Sequence, residues 1–295
     1  MSTSRMKRRI ASVTIRGFRS IEELNDLRLP NLAVMIGANG AGKSNVIRFF
    51  EMLSWMLKGA GLQDYVEKRG GADDQLYLGI KHTSRIETEV CIETEAGNNY
   101  YHIDFALGAG DTLVIVREAF RYSEHDMGTE PQWQELDVPS REPLLVKNGS
   151  EAADAAGTKK TADTLARLLR SCSIYQFHDT SGRSSFNIRW DTTESVYLRS
   201  DGGNLAPVLL RLREEFPERY DIVKRHIRRV LPSFQDFELN EQSGKVLLRW
   251  VGRDGEKTFG PHLTSDGSLR TFALITLLNL PHEMLPDVMF LDEPE

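Results

Sequence analysis

A chain of 295 residues, 40% hydrophobic and 27% charged, has the composition of a globular protein and is long enough for one or two lobes with their own cores. Its net charge of −6 excludes a general electrostatic attraction to nucleic acid, so any such contact needs a local basic patch. Cys91 and Cys172 have no metal-ligand spacing and point to a reducing cytosol rather than a disulfide framework. The basic start, Met1 to Arg9, is not followed by a signal-like apolar stretch, and the longest apolar segment, Phe272 to Leu280, is too short to span a bilayer. The expectation is a cytoplasmic protein without a membrane partner.

Ile10 to Phe18 alternates and is rich in β-branched residues, which predicts an opening strand with Gly17 as a bend; a second strand is expected near Asp26 to Leu29. The apolar run Leu32 to Ile36 reads as a short buried strand. It leads into Gly37-Ala-Asn-Gly-Ala-Gly-Lys-Ser44, which fits the phosphate-binding pattern G-x-x-x-x-G-K-[ST], with Asn45 behind it. Val46, Ile47, Phe49, Phe50, Leu53 and Met56 then recur as the apolar face of a helix that fades at Gly59-Ala-Gly61.

In such a loop the residues Gly37, Ala38, Asn39, Gly40, Ala41 and Gly42 let backbone N–H groups curl round an anionic phosphate, and the helix N-terminus adds partial positive charge. Lys43 is placed to reach the β- and γ-phosphates of ATP, and the Ser44 hydroxyl to ligate Mg²⁺.

From Ile86 the period changes to two. Ile86, Thr88, Val90 and Ile92 share one face, Ala96 to Asn99 reads as a hairpin turn, and Tyr101, Ile103, Phe105 and Leu107 face inward on the return strand. Gly108 to Asp111 turns into a third strand, so the segment reads as an antiparallel meander, followed by strand and turn from Trp133 to Val146. Glu151 to Ala156 and Thr161 to Cys172 read as helix. Ile174 to Asp179 is a short strand running into a polar loop. Asn204 is expected to cap a helix carrying Pro207 and Val208, a second helix follows Pro217, and Phe237 to Leu239 with Lys245 to Val251 form a hairpin. Thr264-Ser-Asp-Gly267 precedes an apolar helix, Leu269 to Leu280.

The last strand, Val288 to Leu291, ends on Asp292-Glu293. Adjacent carboxylates at a buried strand end are costly without a cation, and Mg²⁺ is the natural one. Asp292 would hold Mg²⁺ or its water, and Glu293 would orient or deprotonate an attacking water. Nearly the whole remaining chain separates Lys43 from Asp292, so two large insertions, the meander and a helical segment, lie between the two halves of the site.

Ser265-Asp-Gly-Ser-Leu-Arg270, the apolar helix and Leu291-Asp-Glu-Pro-Glu295 together resemble the ABC-type ATPases of the SMC/RecF/OLD group, as do Ile15-Arg-Gly-Phe-Arg-Ser-Ile21 and Tyr175-Gln-Phe-His-Asp-Thr180. The resemblance implies an α/β P-loop NTPase fold with an ABC-head-like mixed sheet, an antiparallel meander and a helical lobe, here expected as residues 1–185 and 186–295. It implies a homodimer that joins head to tail, with ATP between one protomer's P-loop and the other's Ser265, Asp266 and Gly267. An ordinary helix cap is the plainer reading of those three residues. Gln176 takes the place of a glutamine that senses Mg²⁺ and the γ-phosphate, or is simply solvent-facing. Arg19 either approaches the nucleotide or is a surface arginine. The chain ends before the stretch that carries the group's D-loop and switch histidine, so a truncated product is expected.

DNA is the partner class the resemblance implies, in repair or anti-phage defence, and an effector nuclease is a further partner it leaves open. The basic segments Arg5 to Arg9 and Lys224 to Arg229 either meet phosphates or are solvated faces. A nucleotide-dependent switch with little turnover is the alternative; a transporter motor fits less well, and no sustained heptads indicate a long coiled coil.

Overall fold

The computed structural model describes residues 8–125, 132–145, 156–177, 185–253, 255 and 257–293. The chain forms two compact units, Met1–Ser173 and Ile174–Glu295. No helix among the described residues is long and apolar enough to cross a membrane.

The first unit is built on a six-stranded antiparallel sheet in the order β2-β1-β3-β4-β5-β6. The strands are β1 (Arg8–Phe18), β2 (Ile21–Arg28), β3 (Arg85–Thr94), β4 (Gly97–Gly108), β5 (Thr112–Glu124) and β6 (Gln134–Glu135). The two-residue period works as expected: Ile86, Thr88, Val90, Ile92, Tyr101, Ile103 and Phe105 are all buried. Helix α1 (Lys43–Leu57), the short α2 (Leu62–Lys68) and α3 (Ala156–Arg170) complete the core. Phe49 of α1 meets Phe18 of β1 edge to face at 6.0 Å, and α3 packs on β4, β5 and α1.

One buried carboxylate closes this unit. Glu118 is fully buried and accepts from Tyr101 Oη at 2.8 Å, Leu144 N at 2.8 Å and Leu145 N at 2.9 Å. A buried acid is tolerated only with such a set of donors. Burial raises its pKa; the donors pull the other way.

The second unit starts as β7 (Cys172–Tyr175) pairs with the last strand, β13 (Val288–Leu291). Between them come β8 (Trp190–Asp191), α4 (Leu205–Glu215), α5 (Pro217–Val230), β9 (Phe234–Phe237), β10 (Lys245–Val246), β11 (Trp250–Gly252), β12 (Thr258–Phe259) and α6 (Asp266–Asn279). An aromatic core joins β9, β11, β12 and α6: Phe234–Phe237 at 4.8 Å, Trp250 stacked on Phe259 at 4.4 Å, and Phe237–Phe272 at 5.3 Å.

Several local expectations are corrected. Leu32 to Ile36 forms no strand, and Leu32, Val34 and Ile36 are 84, 77 and 91% exposed. An apolar run becomes a buried strand only when other strands flank it, and that is decided outside the run. The first meander turn is Glu95-Ala96, because Thr94 pairs with Gly97; Asn99 lies within the strand, buried. Asn204 stands at the N-cap position of α4, but its side chain serves the preceding loop, accepting from Arg199 N and donating to Glu194 O and Tyr197 O. The hairpin expected from Phe237 is present in part, with Phe237 opposite Trp250, but it belongs to a three-stranded sheet, β12-β11-β9, and Lys245–Val246 pairs with β8. Helix α2 was not expected. The predicted helix over Glu151 to Ala156 lies outside the described residues apart from Ala156.

Glu118→Ala is expected to lower stability by about 2–4 kcal/mol, since three buried donors lose their acceptor; urea denaturation measures this. Because the folded pKa is raised, the contribution of Glu118 is greatest below the unfolded value of about 4.3 and declines as pH rises through the folded pKa. Glu118→Gln, which stays neutral, is therefore expected to gain on the wild type between pH 4 and pH 8, read from urea midpoints.

Candidate functional site

Two sets of residues carry chemistry, one in each unit. In the first, the glycine loop runs from Gly37 into α1. Gly42 has φ +90°, which strains any L side chain, and a Cβ there would sit tightly against Ile21 at 3.3 Å. That turn sets Lys43 at the first position of α1, with Ser44 and Asn45 behind it. Gly37, Ala38, Asn39, Gly40 and Ala41 are exposed. Lys43 Nζ donates to Gly37 O at 2.6 Å and Ala38 O at 2.8 Å, so the ammonium lies across its own loop. Asn45 Nδ2 donates to Ser20 Oγ at 2.7 Å, tying the helix start to the β1–β2 turn. An ammonium, backbone N–H groups and a helix N-terminus on one glycine loop make a set that suits a phosphate chain.

Beside it stands Arg19, held in a left-handed conformation at φ 51°. Its Nε and Nη2 donate to Gln75 Oε1 at 3.0 and 2.8 Å, and its N–H to Gln75 O at 2.9 Å. Gln75 is fully buried and donates from Nε2 to Arg69 O and Gly71 O, both at 3.0 Å. Burial lowers the Arg19 pKa, and the charges of Arg48 and Arg69 add to this. Arg19 and Asn45 line one cleft with Asp73 and Asp74. Arg19 is thus set in place rather than a loose surface arginine. Nothing in the spacing of Gln75 marks it as the residue that does this.

In the second unit, Ser265 caps α6: its Oγ accepts from Ser268 N at 3.2 Å and shares a hydrogen bond with Ser268 Oγ at 2.8 Å. Asp266 and Gly267 form the first turn and are exposed. The loop before them is pinned by Thr264, whose Oγ1 accepts from Trp250 Nε1 at 2.9 Å and donates to Gly260 O at 2.8 Å. The helix-cap reading of Ser265 therefore holds, and it leaves Gly267 N among the unbonded N–H groups of a helix start.

At the other end of the unit, Asp292 N donates to Tyr175 O at 3.1 Å, which continues the β7–β13 pairing past the strand. Asp292 is 7% exposed, and Gln176 Nε2 donates to its Oδ2 at 3.3 Å. Gln176 and Asp292 are thus brought together. The amide oxygen of Gln176 and the carboxylate of Asp292 are hard oxygen donors of the kind Mg²⁺ takes. Glu293 is exposed, at φ 48°. It shares a small cavity with Asp292 and Arg270, walled by Tyr175, Phe177 and Leu274. Arg270 had no role in the sequence reading. The signal was there: a lone cation in the apolar run Leu269 to Leu280 needs an anion nearby. Pro294, Glu295 and His178 to Thr180 lie outside the described residues.

A family described as “AAA domain, putative AbiEii toxin, Type IV TA system” matches residues 32–295. The chromosome partition proteins Smc of Mycolicibacterium paratuberculosis and Mycobacterium tuberculosis are each 29% identical over 115 residues. Those matches cover 38% of this chain and only 9% of either relative.

Gln75→Leu is expected to cost about 2–4 kcal/mol, because it strips Arg19 and two carbonyls of their partner. Lys43→Ala removes only bonds to exposed carbonyls and is expected to leave the urea midpoint nearly unchanged.

Proposed function

The chain belongs to this AAA-domain family, and we propose that it binds and hydrolyses ATP as an ABC-type ATPase of the SMC/RecF/OLD kind, working as a head-to-tail dimer. The observation that carries the reading is the left-handed Gly42, which turns the glycine loop into α1 and sets Lys43 at the helix start; that arrangement supports an anion site there.

In this reading Lys43 leaves the carbonyls of Gly37 and Ala38 for phosphate oxygens, and the amides of Gly37 to Gly42 hold the rest of the chain. Bound Mg²⁺–ATP supplies the γ-phosphoryl group that water attacks. Ser44 Oγ in the first unit, and Asp292 with the Gln176 amide oxygen in the second, are oxygen donors of the kind that would hold the cation. Glu293, beside Asp292, orients the water and takes its proton. Ser265 and the Gly267 N–H act on the nucleotide of the partner protomer, as donors at a helix start. The products are ADP and phosphate.

The likeness to two chromosome partition proteins supports DNA as the molecule on which the ATPase works. Repair or anti-phage defence is the proposed setting, in the cytoplasm.

Lys43→Ala is expected to abolish ATP binding in equilibrium titrations; unchanged affinity would remove the P-loop assignment. Glu293→Gln is expected to accumulate an ATP-bound dimer, visible by size-exclusion chromatography with light scattering. Specific ATPase activity of the wild type should rise with protein concentration, as a site shared between protomers requires. A flat rate would favour the low-turnover switch.

A further inference from the structure

A cluster of cations that make no ion pair among the described residues lies in the first unit, along α3. Two adjoining grooves share Arg8, Lys160 and Thr164. One, of about 440 Å³, reaches the Glu95-Ala96 turn and is lined by Thr94, Asn99, Tyr122 and Thr161. The other, of about 830 Å³, follows the helix past Lys159, Arg167 and Arg170 to Ser171. Each holds a single acid, Glu95 in the first and Asp163 in the second.

Lys159, Lys160 and Arg167 are exposed and make no ion pair among the described residues. The basic segment Lys224 to Arg229 differs. Lys224 Nζ is 3.1 Å from both Asp221 and Asp236, and Arg228 donates twice to Gln235 O. Part of that segment's charge is already spent inside its own unit.

We propose that the α3 groove binds the phosphodiester backbone of nucleic acid. The inference rests on the DNA-directed part of the reading above and gives it a place. Lys160 and Arg167 are seven residues apart, two turns along one helix face, or about 10 Å. From Lys159 to Ser171 the groove follows the helix for roughly 18 Å, the axial length of about five phosphates of one duplex strand. The Thr164 hydroxyl, beside lysine and arginine, adds a donor of the kind that phosphate oxygens take. None of the large exposed apolar residues lines the groove, which argues against a lipid surface. The net charge of −6 leaves the rest of the molecule repelling a polyanion and so favours this face.

The test is fluorescence anisotropy of the full chain with a labelled duplex and its single strand, from about 50 to 200 mM salt. The wild type should bind at least one of them with a log–log salt slope of about −2 to −3, for the three cations Lys159, Lys160 and Arg167. Lys160→Glu with Arg167→Glu should weaken binding by about 30-fold or more and flatten the slope by about two. Arg225→Glu with Arg229→Glu should change it little, and ATP hydrolysis without DNA should match the wild type in both. If the reversed-charge variant fails to fold by urea denaturation, Lys160→Gln with Arg167→Gln replaces it, with the same slope change expected.

Tight wild-type binding that the α3 variants leave within twofold would overturn the location alone. No wild-type binding to either strand form would overturn the DNA reading as well. Equal binding of polyglutamate or of anionic vesicles would overturn the assignment to nucleic acid. Comparing duplex with single strand decides which source of phosphodiester the groove prefers.

Discussion

Burial of one face of α1 is the constraint on which the phosphate loop depends. Phe49, Phe50, Met52 and Leu53 are completely buried, and Phe49 locks onto Phe18 at the end of β1. With the helix fixed, its first residue is fixed, and the chain before it must turn back in little space. Glycine at position 42 makes that turn without strain, because its φ of +90° is one that L side chains rarely adopt, and a Cβ would also sit close to Ile21. The loop is therefore not flexible glycine-rich coil but a shape imposed by a core several residues away. The same β1–β2 turn holds Asn45 through Ser20 and carries Arg19 into the neighbouring cleft. Hydrophobic burial, a non-directional force, thus sets the direction of the polar groups.

The second unit follows the same logic with aromatic rings. Trp250 stacks on Phe259 and spends its indole N–H on Thr264, which in turn reaches Gly260. A buried indole needs such a partner, and in taking it the residue immediately before Ser265 is pinned. The other end of the unit is set by strand pairing carried one residue beyond β13, which buries Asp292 against Gln176. Arg270, on the helix that Ser265 caps, reaches the cavity of these carboxylates. A polypeptide cation thus stands where the sequence reading named only a metal ion.

Charge is spent unevenly across the molecule. Several surface arginines and lysines are matched: Arg9 with Glu93, Arg117 with Glu135, Arg211 with Glu215, Lys224 with two aspartates. Such pairs contribute little stability individually, but they cancel the local field. Among the described residues Lys159, Lys160 and Arg167 make no ion pair, so their field extends into solvent.

The sequence by itself determined what depends on local pattern. The glycine loop with Lys43 and Ser44, the apolar face of α1, the alternating meander, the helix after Ser265 and the strand before Asp292 all follow from periods and turn chemistry within a few residues. Tertiary structure decided what depends on distant partners. Leu32 to Ile36 has a buried strand's composition, yet a strand needs neighbours that its own residues cannot supply. Asn204 has the cap's chemistry, but three backbone groups of the preceding loop compete for its side chain and win. Gln75 and Arg270 look unremarkable in the chain; one becomes the buried clamp of Arg19 and the other a neighbour of Asp292 and Glu293 only when the backbone folds them there. Local pattern is carried by the chain's own geometry, whereas the partner of a buried polar group is set by which surfaces the core brings together.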